Sequence, residues 1–187
     1  MPPDEAELMQ RTAAGDERAF EELIERHQSR VIGTIAKMLG DASTAEDLAQ
    51  QVFIRVWQSA PRYMATAKFT TWLLTITRNL VFNETRRRGR ARLLPMEHED
   101  GSPREIHDTA SLEPGRELQE KELQDAIEAA IATLPEQQRL ALILRRYEDT
   151  PYEEIAAVLE TTVPSVKSLL FRAREDLRAK LEKFLVA

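Results

Sequence analysis

Apolar residues recur at steps of three and four along most of this chain, the pattern of helices that bury one face. Phe20, Leu23, Ile24, His27, Val31, Ile35, Met38 and Leu39 mark the first such stripe. His27 lies on it and reads as a core histidine rather than a ligand. Gly40-Asp41 ends this helix, and Ser43 or Thr44 can cap the next. Ala45, Leu48, Ala49, Val52, Phe53, Val56 and Trp57 then repeat the pattern up to a break at Ser59-Ala60-Pro61. A third helix is expected from about Thr70 to Arg88. Between Leu93 and Glu117 the periodicity disappears, while Pro95, Gly101, Pro103, Pro114 and Gly115 accumulate among acids, as in a tether between domains. It resumes with Leu123, Ala126, Ile127, Ala130, Ile131 and Leu134. Pro135 suits the first position of a helix carrying Leu140, Ile143, Leu144 and Tyr147 on one side. No strand-like alternation or internal repeat is visible. The pattern predicts an all-α protein: two small helical domains, 1–92 and 118–187, joined by a flexible acidic linker, 93–117.

Charge sharpens this division. The formal charge of the 187 residues is −6. Yet residues 66–92 hold seven basic side chains against Glu84 alone, and residues 163–187 hold six against three acids. The intervening stretch 93–122 carries three basic and nine acidic residues. An acidic chain with two basic patches suggests polyanion binding at chosen places, although either patch alone also suits a solvated helix face. Absence of cysteine excludes a disulfide framework, a Cys-ligated zinc and a thiol nucleophile, and three histidines leave little for a His-based metal or catalytic centre. No apolar run approaches the roughly 20 residues of a membrane span. With no leader at Met1, the expectation is a cytoplasmic protein without membrane attachment.

The C-terminal patch has a definite form. Tyr152, Ile155, Ala156 and Leu159 give a short helix its inner face, Glu160-Thr161-Thr162 interrupts it, and Pro164 opens a longer helix buried through Val166, Leu169, Leu170, Ala173, Leu177 and Leu181. A short helix, a tight turn and a longer basic helix make a helix-turn-helix. At 100° per residue Lys167, Ser168, Phe171, Arg172, Glu175 and Arg178 fall opposite the core. Lys167, Ser168 and Arg172 occupy the turns from which such a helix reads base edges. Phe171 is the odd member, suited either to a thymine methyl in the major groove or to packing over the short helix. Arg174, Arg178 and Lys180 suit phosphates or simple solvation.

On the third helix Leu73, Ile76 and Leu80 face a core, while Trp72, Thr75, Asn79, Asn83 and Arg86 line a neighbouring face. An aromatic, two amides and a guanidinium in register, preceded by Tyr63, Lys68 and Phe69, resemble a surface for unpaired bases, which stack on rings and offer edges to amides. In isolation Trp72 and Phe69 would read as core. The run Arg86-Arg87-Arg88-Gly89-Arg90 tips the balance toward nucleic acid.

Together the pieces resemble an extracytoplasmic-function (ECF) sigma factor, a promoter-recognition subunit of bacterial RNA polymerase. The resemblance is carried by Ala45-Glu46-Asp47-Leu48-Ala49-Gln50-Gln51-Val52-Phe53 with Trp57, by Phe69-Thr70-Thr71-Trp72-Leu73 through Arg88, and by Leu134-Pro135 through Val166-Lys167-Ser168 and Phe171-Arg172-Ala173-Arg174. It implies that Asp47, Gln50, Gln51, Phe53 and Trp57 dock on the β′ clamp helices of the core polymerase, whose β flap is a further implied contact. An acid three residues after Thr44 also suits a helix N-terminus, and both roles can hold for Asp47. The resemblance further implies that Tyr63, Lys68, Phe69, Trp72, Asn79, Asn83, Arg86 and Arg87 read a melted minus-ten element, and that Pro164, Ser165, Lys167, Ser168, Phe171, Arg172 and Arg174 read the minus-35 element. Pro164-Ser165 and Leu169 depart from the commonest family form, which bears on which minus-35 sequence is read. The partners implied are core polymerase, promoter DNA and an anti-sigma factor; no cofactor, metal or small-molecule substrate is implied.

Two other classes compete. An autonomous helix-turn-helix regulator accounts for the last third of the chain but leaves the Trp72 stripe without a role. A metal-dependent hydrolase would need carboxylates such as Glu46-Asp47 or Glu153-Glu154 to converge, yet adjacent residues on a helix diverge by about 100°.

Overall fold

A computed structural model describes residues 4–93 and 114–185, and every regular element among them is helical. In chain order these are α1 (Glu5–Ala13), α2 (Glu17–Leu39), α3 (Ala42–Ser59), a 3₁₀ turn at Ala60–Arg62, α4 (Phe69–Leu93), α5 (Pro114–Ala132), α6 (Glu136–Tyr147), α7 (Tyr152–Leu159) and α8 (Val163–Leu185). The all-α expectation is met. Helix α5 begins at Pro114, inside the stretch read as a tether, with proline at the helical position that has no use for its missing N–H. Residues 94–113 of that stretch lie outside the described residues.

Local chemistry sets the helix ends. Gly40 adopts a left-handed φ of 67° and closes α2. The cap of α3 is Asp41 rather than Ser43 or Thr44: its carboxylate accepts from the Thr44 amide at 3.2 Å and the Thr44 hydroxyl at 2.5 Å. Pro135 likewise stands one residue earlier than expected, at the cap of α6 rather than inside it. Helix α1 went unmarked by periodicity, since nine residues with two large apolar side chains give no stripe. It forms because Asp4 caps it, accepting from Glu7 N at 2.7 Å, and because Leu8 and Met9 are fully buried.

The N-terminal helices enclose Leu23, Val31, Ile35, Met38, Val52, Val56 and Leu73, and the C-terminal ones enclose Leu140, Ile143, Leu144, Ile155, Val158, Val166 and Leu170. Tyr147, expected on the inner face of α6, is exposed instead and carries the Lys37 ammonium 4.9 Å from its ring centre. The stripe of α5 is buried only toward its end, at Ala130 and Ile131; Leu123 is exposed.

The two sets of helices pack on each other, α4 against α7 and α2 against α6. The contacts across this seam include several charged ones. Arg30 Nε meets Glu148 Oε2 at 2.8 Å, and Arg139 donates across it to the carbonyl of Met38 at 2.8 Å and, on its own side, to those of Ala132 and, at 2.9 Å, Leu134. One guanidinium thereby serves the ends of α2 and α5, where helix carbonyls lack partners of their own.

Candidate nucleic-acid interface

The N-terminal face is built on a ring cluster. Tyr63 stacks edge-on to Trp72 at 4.9 Å between centroids, Phe69 lies 5.8 Å from Trp72, and His27 lies 5.1 Å from Phe69. Phe69 is only 3% exposed, so it belongs to the core and supports Tyr63 and Trp72 rather than offering a ring to a base. Trp72 is half-buried, and Asn79, Asn83, Arg86 and Arg87 are exposed along the same side of α4. Burial, with Glu5 and Asp4 nearby, raises the Tyr63 phenol above its ordinary value and keeps it neutral. His27 is buried as expected; burial lowers its pKa against the pull of Glu5, whose carboxylate lies 3.4 Å from Nε2 without an aligned hydrogen bond.

The arginine run divides by function. Arg88 donates to Thr44 Oγ1 at 2.8 Å, Asp41 Oδ2 at 3.1 Å and Glu84 Oε1 at 2.9 Å, which ties α4 to the start of α3. Arg87 also holds Glu84, at 2.7 and 2.9 Å, and that bond is the first cause of the lowered Glu84 pKa. Arg86 points outward beside them.

Sequence reasoning passed over Arg78. It is 7% exposed, its Nε and Nη2 donate to Asn79 Oδ1 at 3.0 and 2.7 Å, and its remaining donors reach the Val158 carbonyl at 2.6 Å and Glu160 Oε1 at 2.7 Å. An arginine in phase with neither stripe of α4 gave no periodic signal.

On α3, Asp47, Gln50, Gln51 and Trp57 lie on the exposed side. With Asp41 as the cap, Asp47 is already in the second turn and plays no capping part. Phe53 is corrected: at 6% exposure it faces the core with Val52 and Val56. The outward apolar residue is Ile54, 54% exposed and one step around the wheel from Phe53. Its being out of phase with the buried stripe was the signal available in the sequence. Trp57 packs on Phe20 at 5.0 Å while keeping one side open.

The C-terminal face is the turn and helix of a helix-turn-helix. Glu160 closes α7 at a left-handed φ of 53°, Thr162 Oγ1 accepts from Ser165 N at 3.3 Å to cap α8, and Pro164 occupies its first turn. Lys167, Ser168, Arg172 and Arg174 are exposed. Phe171 is 64% exposed, which rules out packing over the short helix and leaves its ring on the basic surface. Among the described residues no group of three or more His, Asp or Glu is placed to hold a metal ion, and no helix is long and apolar enough to cross a membrane.

Two helical bodies, one ending in a basic recognition helix and the other presenting rings and amides beside arginines, define a protein built to hold nucleic acid at two places. Comparison with known proteins narrows the class. Residues 23–91 match the Sigma-70 region 2 family and residues 124–177 the Sigma-70, region 4 family. The chain is 33% identical over 184 residues to the RNA polymerase sigma-H factor of Pseudomonas aeruginosa, covering 96% of this chain and 94% of that one. It is 30% identical over 183 residues to the ECF RNA polymerase sigma-E factor of Haemophilus influenzae, covering 95% of each. Its fold is similar to that of CnrH, solved in complex with the cytosolic domain of CnrY, with a TM-score of 0.71, 23% identity and coverage of 96% of this chain and 97% of that one. The chain belongs to the ECF sigma factors of RNA polymerase and directs promoter-specific transcription initiation.

Proposed function

We propose a division of labour between the two bodies. The first, residues 1–92, docks on core polymerase through Asp47, Gln50, Gln51 and Trp57, with Ile54 completing that face, and reads a melted minus-ten element through Tyr63, Lys68, Trp72, Asn79, Asn83, Arg86 and Arg87. The second, residues 118–187, reads the minus-35 element as duplex through Lys167, Ser168, Phe171 and Arg172, with Pro164, Ser165 and Arg174 at its margins. The protein performs no chemistry of its own, acts in the cytoplasm, and is held in check by an anti-sigma factor that covers the docking surfaces.

The observation that carries this reading is the difference in chemistry between the two faces. Rings and amides on α4 suit bases already out of the duplex. A basic helix presented by a helix-turn-helix suits a major groove. The test is transcription from a promoter library by bacterial core polymerase with and without the purified chain. Core-dependent initiation at a shared pair of spaced elements is expected; tight specific duplex binding without polymerase, and no stimulation by it, would favour an autonomous regulator.

A further inference from the structure

Helix α1 stands ahead of residue 23, where the family match begins. It is anchored by Leu8 and Met9, both fully buried, and packs on α2 and on the 3₁₀ turn at Ala60–Arg62. Its first turn therefore lies near the segment that starts at Tyr63. Glu5 of that turn sets a carboxylate oxygen 3.4 Å from His27 Nε2. After burial, Glu5 and Asp4 are the charges that raise the Tyr63 phenol.

His27 connects this turn to the reading face. Its ring lies 5.1 Å from that of Phe69, and Phe69 lies 5.8 Å from Trp72 and 6.2 Å from Tyr63, which meet each other at 4.9 Å. A carboxylate, an imidazole and a buried phenyl thus stand in line behind the two rings offered to a base. Burial first, then the nearby Arg30 and Arg26, oppose a positive charge on His27, so the imidazole is neutral at neutral pH. Its buried Nε2 has no aligned hydrogen bond, a cost that a phenyl in the same place would not carry. What the imidazole has and a phenyl lacks is a polar edge on which Glu5 can act. The carboxylate favours the tautomer with its N–H toward α1, and so fixes the plane against which Phe69 packs. Aromatic pairs hold preferred mutual orientations, so that plane is passed on to Tyr63 and Trp72.

We propose that Glu5 and His27 are positioning residues of the minus-ten reader: Glu5 orients the His27 imidazole, which sets Phe69 and, through it, the Tyr63 and Trp72 rings on which unpaired bases stack. Neither residue touches the strand. Rings contact bases and not phosphates, so loss of this brace lowers strand affinity without altering its dependence on salt. The role rests on the minus-ten reading of α4 and is tested so that the two can fail separately.

The chain is bound to bacterial core polymerase, and capture of a short labelled single strand of mixed sequence is measured above that of core alone. Glu5→Ala and His27→Phe should each weaken capture about fivefold, the low end of what one stacked base contributes. The double variant should be no weaker than either single one, because the pair acts as a unit. Glu5→Gln keeps an acceptor oxygen and should retain most of the parent affinity, and the slope of log affinity against log salt should stay at the parent value throughout. In the free chain, the near-ultraviolet circular dichroism of the rings should change in Glu5→Ala and return in Glu5→Gln, with helix content kept. The Glu5 side chain is 39% exposed, so its two variants decide the matter even where His27→Phe does not fold. Parent-like capture by Glu5→Ala, or equal losses in Glu5→Ala and Glu5→Gln, would strike Glu5 from the reader. Additive losses in the double variant would break the line from Glu5 to His27, and a shallower salt slope would mean a lost phosphate contact instead of displaced rings. No capture above core alone by the parent, with the ring spectrum still answering to Glu5→Ala and Glu5→Gln, would leave the brace standing and overturn the minus-ten reading.

Discussion

Asp41 shows how much can hang on one carboxylate. It caps α3, and its pKa is held at about 2, below 3.8, first by the Thr44 hydroxyl and amide and then by Arg88. A carboxyl depressed in the folded state contributes stability above its unfolded pKa, and that contribution is lost as pH falls through the folded value. Asp41→Ala should therefore lose about 1 kcal/mol in urea unfolding at neutral pH and show a flatter decline between pH about 4 and about 2; an acid limb identical to that of the parent would refute the assignment. Glu160→Gly should act in the opposite direction, raising the thermal midpoint of the C-terminal domain by relief of a left-handed backbone, about 1 kcal/mol. Residue-level errors in reading the sequence share one origin. Periodicity puts Phe53 on the buried stripe and reads Phe69 as core, where both lie; their outward roles came from the family resemblance and from the neighbouring basic run, neither of which reports burial, while Ile54, out of phase with the stripe, has no place in either pattern.

At the level of the element, the two readers make separable predictions. Lys167→Ala and Arg172→Ala on α8 should each weaken binding to minus-35 duplex by roughly 1 to 3 kcal/mol if the lost contact is bidentate, with affinity for core polymerase unchanged in a competition assay. Trp72→Ala and Asn79→Ala on α4 should still permit a closed promoter complex but reduce permanganate-reactive melting; parallel losses in both assays would contradict the assignment of α4 to unpaired bases. Helices α2, α3, α4 and α8 were legible because each buries a stripe several turns long, and α7, only eight residues, because four inner positions crowd into its two turns. Helix α1 was not, because its stability comes from one cap and two side chains docked on a neighbour, and neither repeats along the chain.

For the whole molecule, the charge map separated two basic bodies, but nothing in it announced that they would pack together. The charged contacts of the seam among the described residues include those of Arg30, Lys68, Arg78, Arg139, Glu148, Glu154 and Glu160, and such residues look like solvated surface until a partner is seen. Pairs of this kind weaken as salt shortens the reach of charge, from about 10 Å at 0.1 M to about 3 Å at 1 M. With dyes placed through Glu21→Cys on α2 and Asp176→Cys on α8, both exposed, raising salt across that range should lower energy transfer between the two bodies; a salt-insensitive chain would mean that apolar contact, not charge, holds the seam.

The exposed basic face of α8 in the closed chain has a consequence for traffic. Contacts with phosphates are indifferent to sequence, and a genome offers millions of such positions for every promoter. On the proposed assignment, a chain that keeps this face open would partition onto duplex DNA whenever no protein partner holds it. Polymerase would then collect its specificity subunit from the template, and the pool available for a response would be set by how much bare chromosome competes for it.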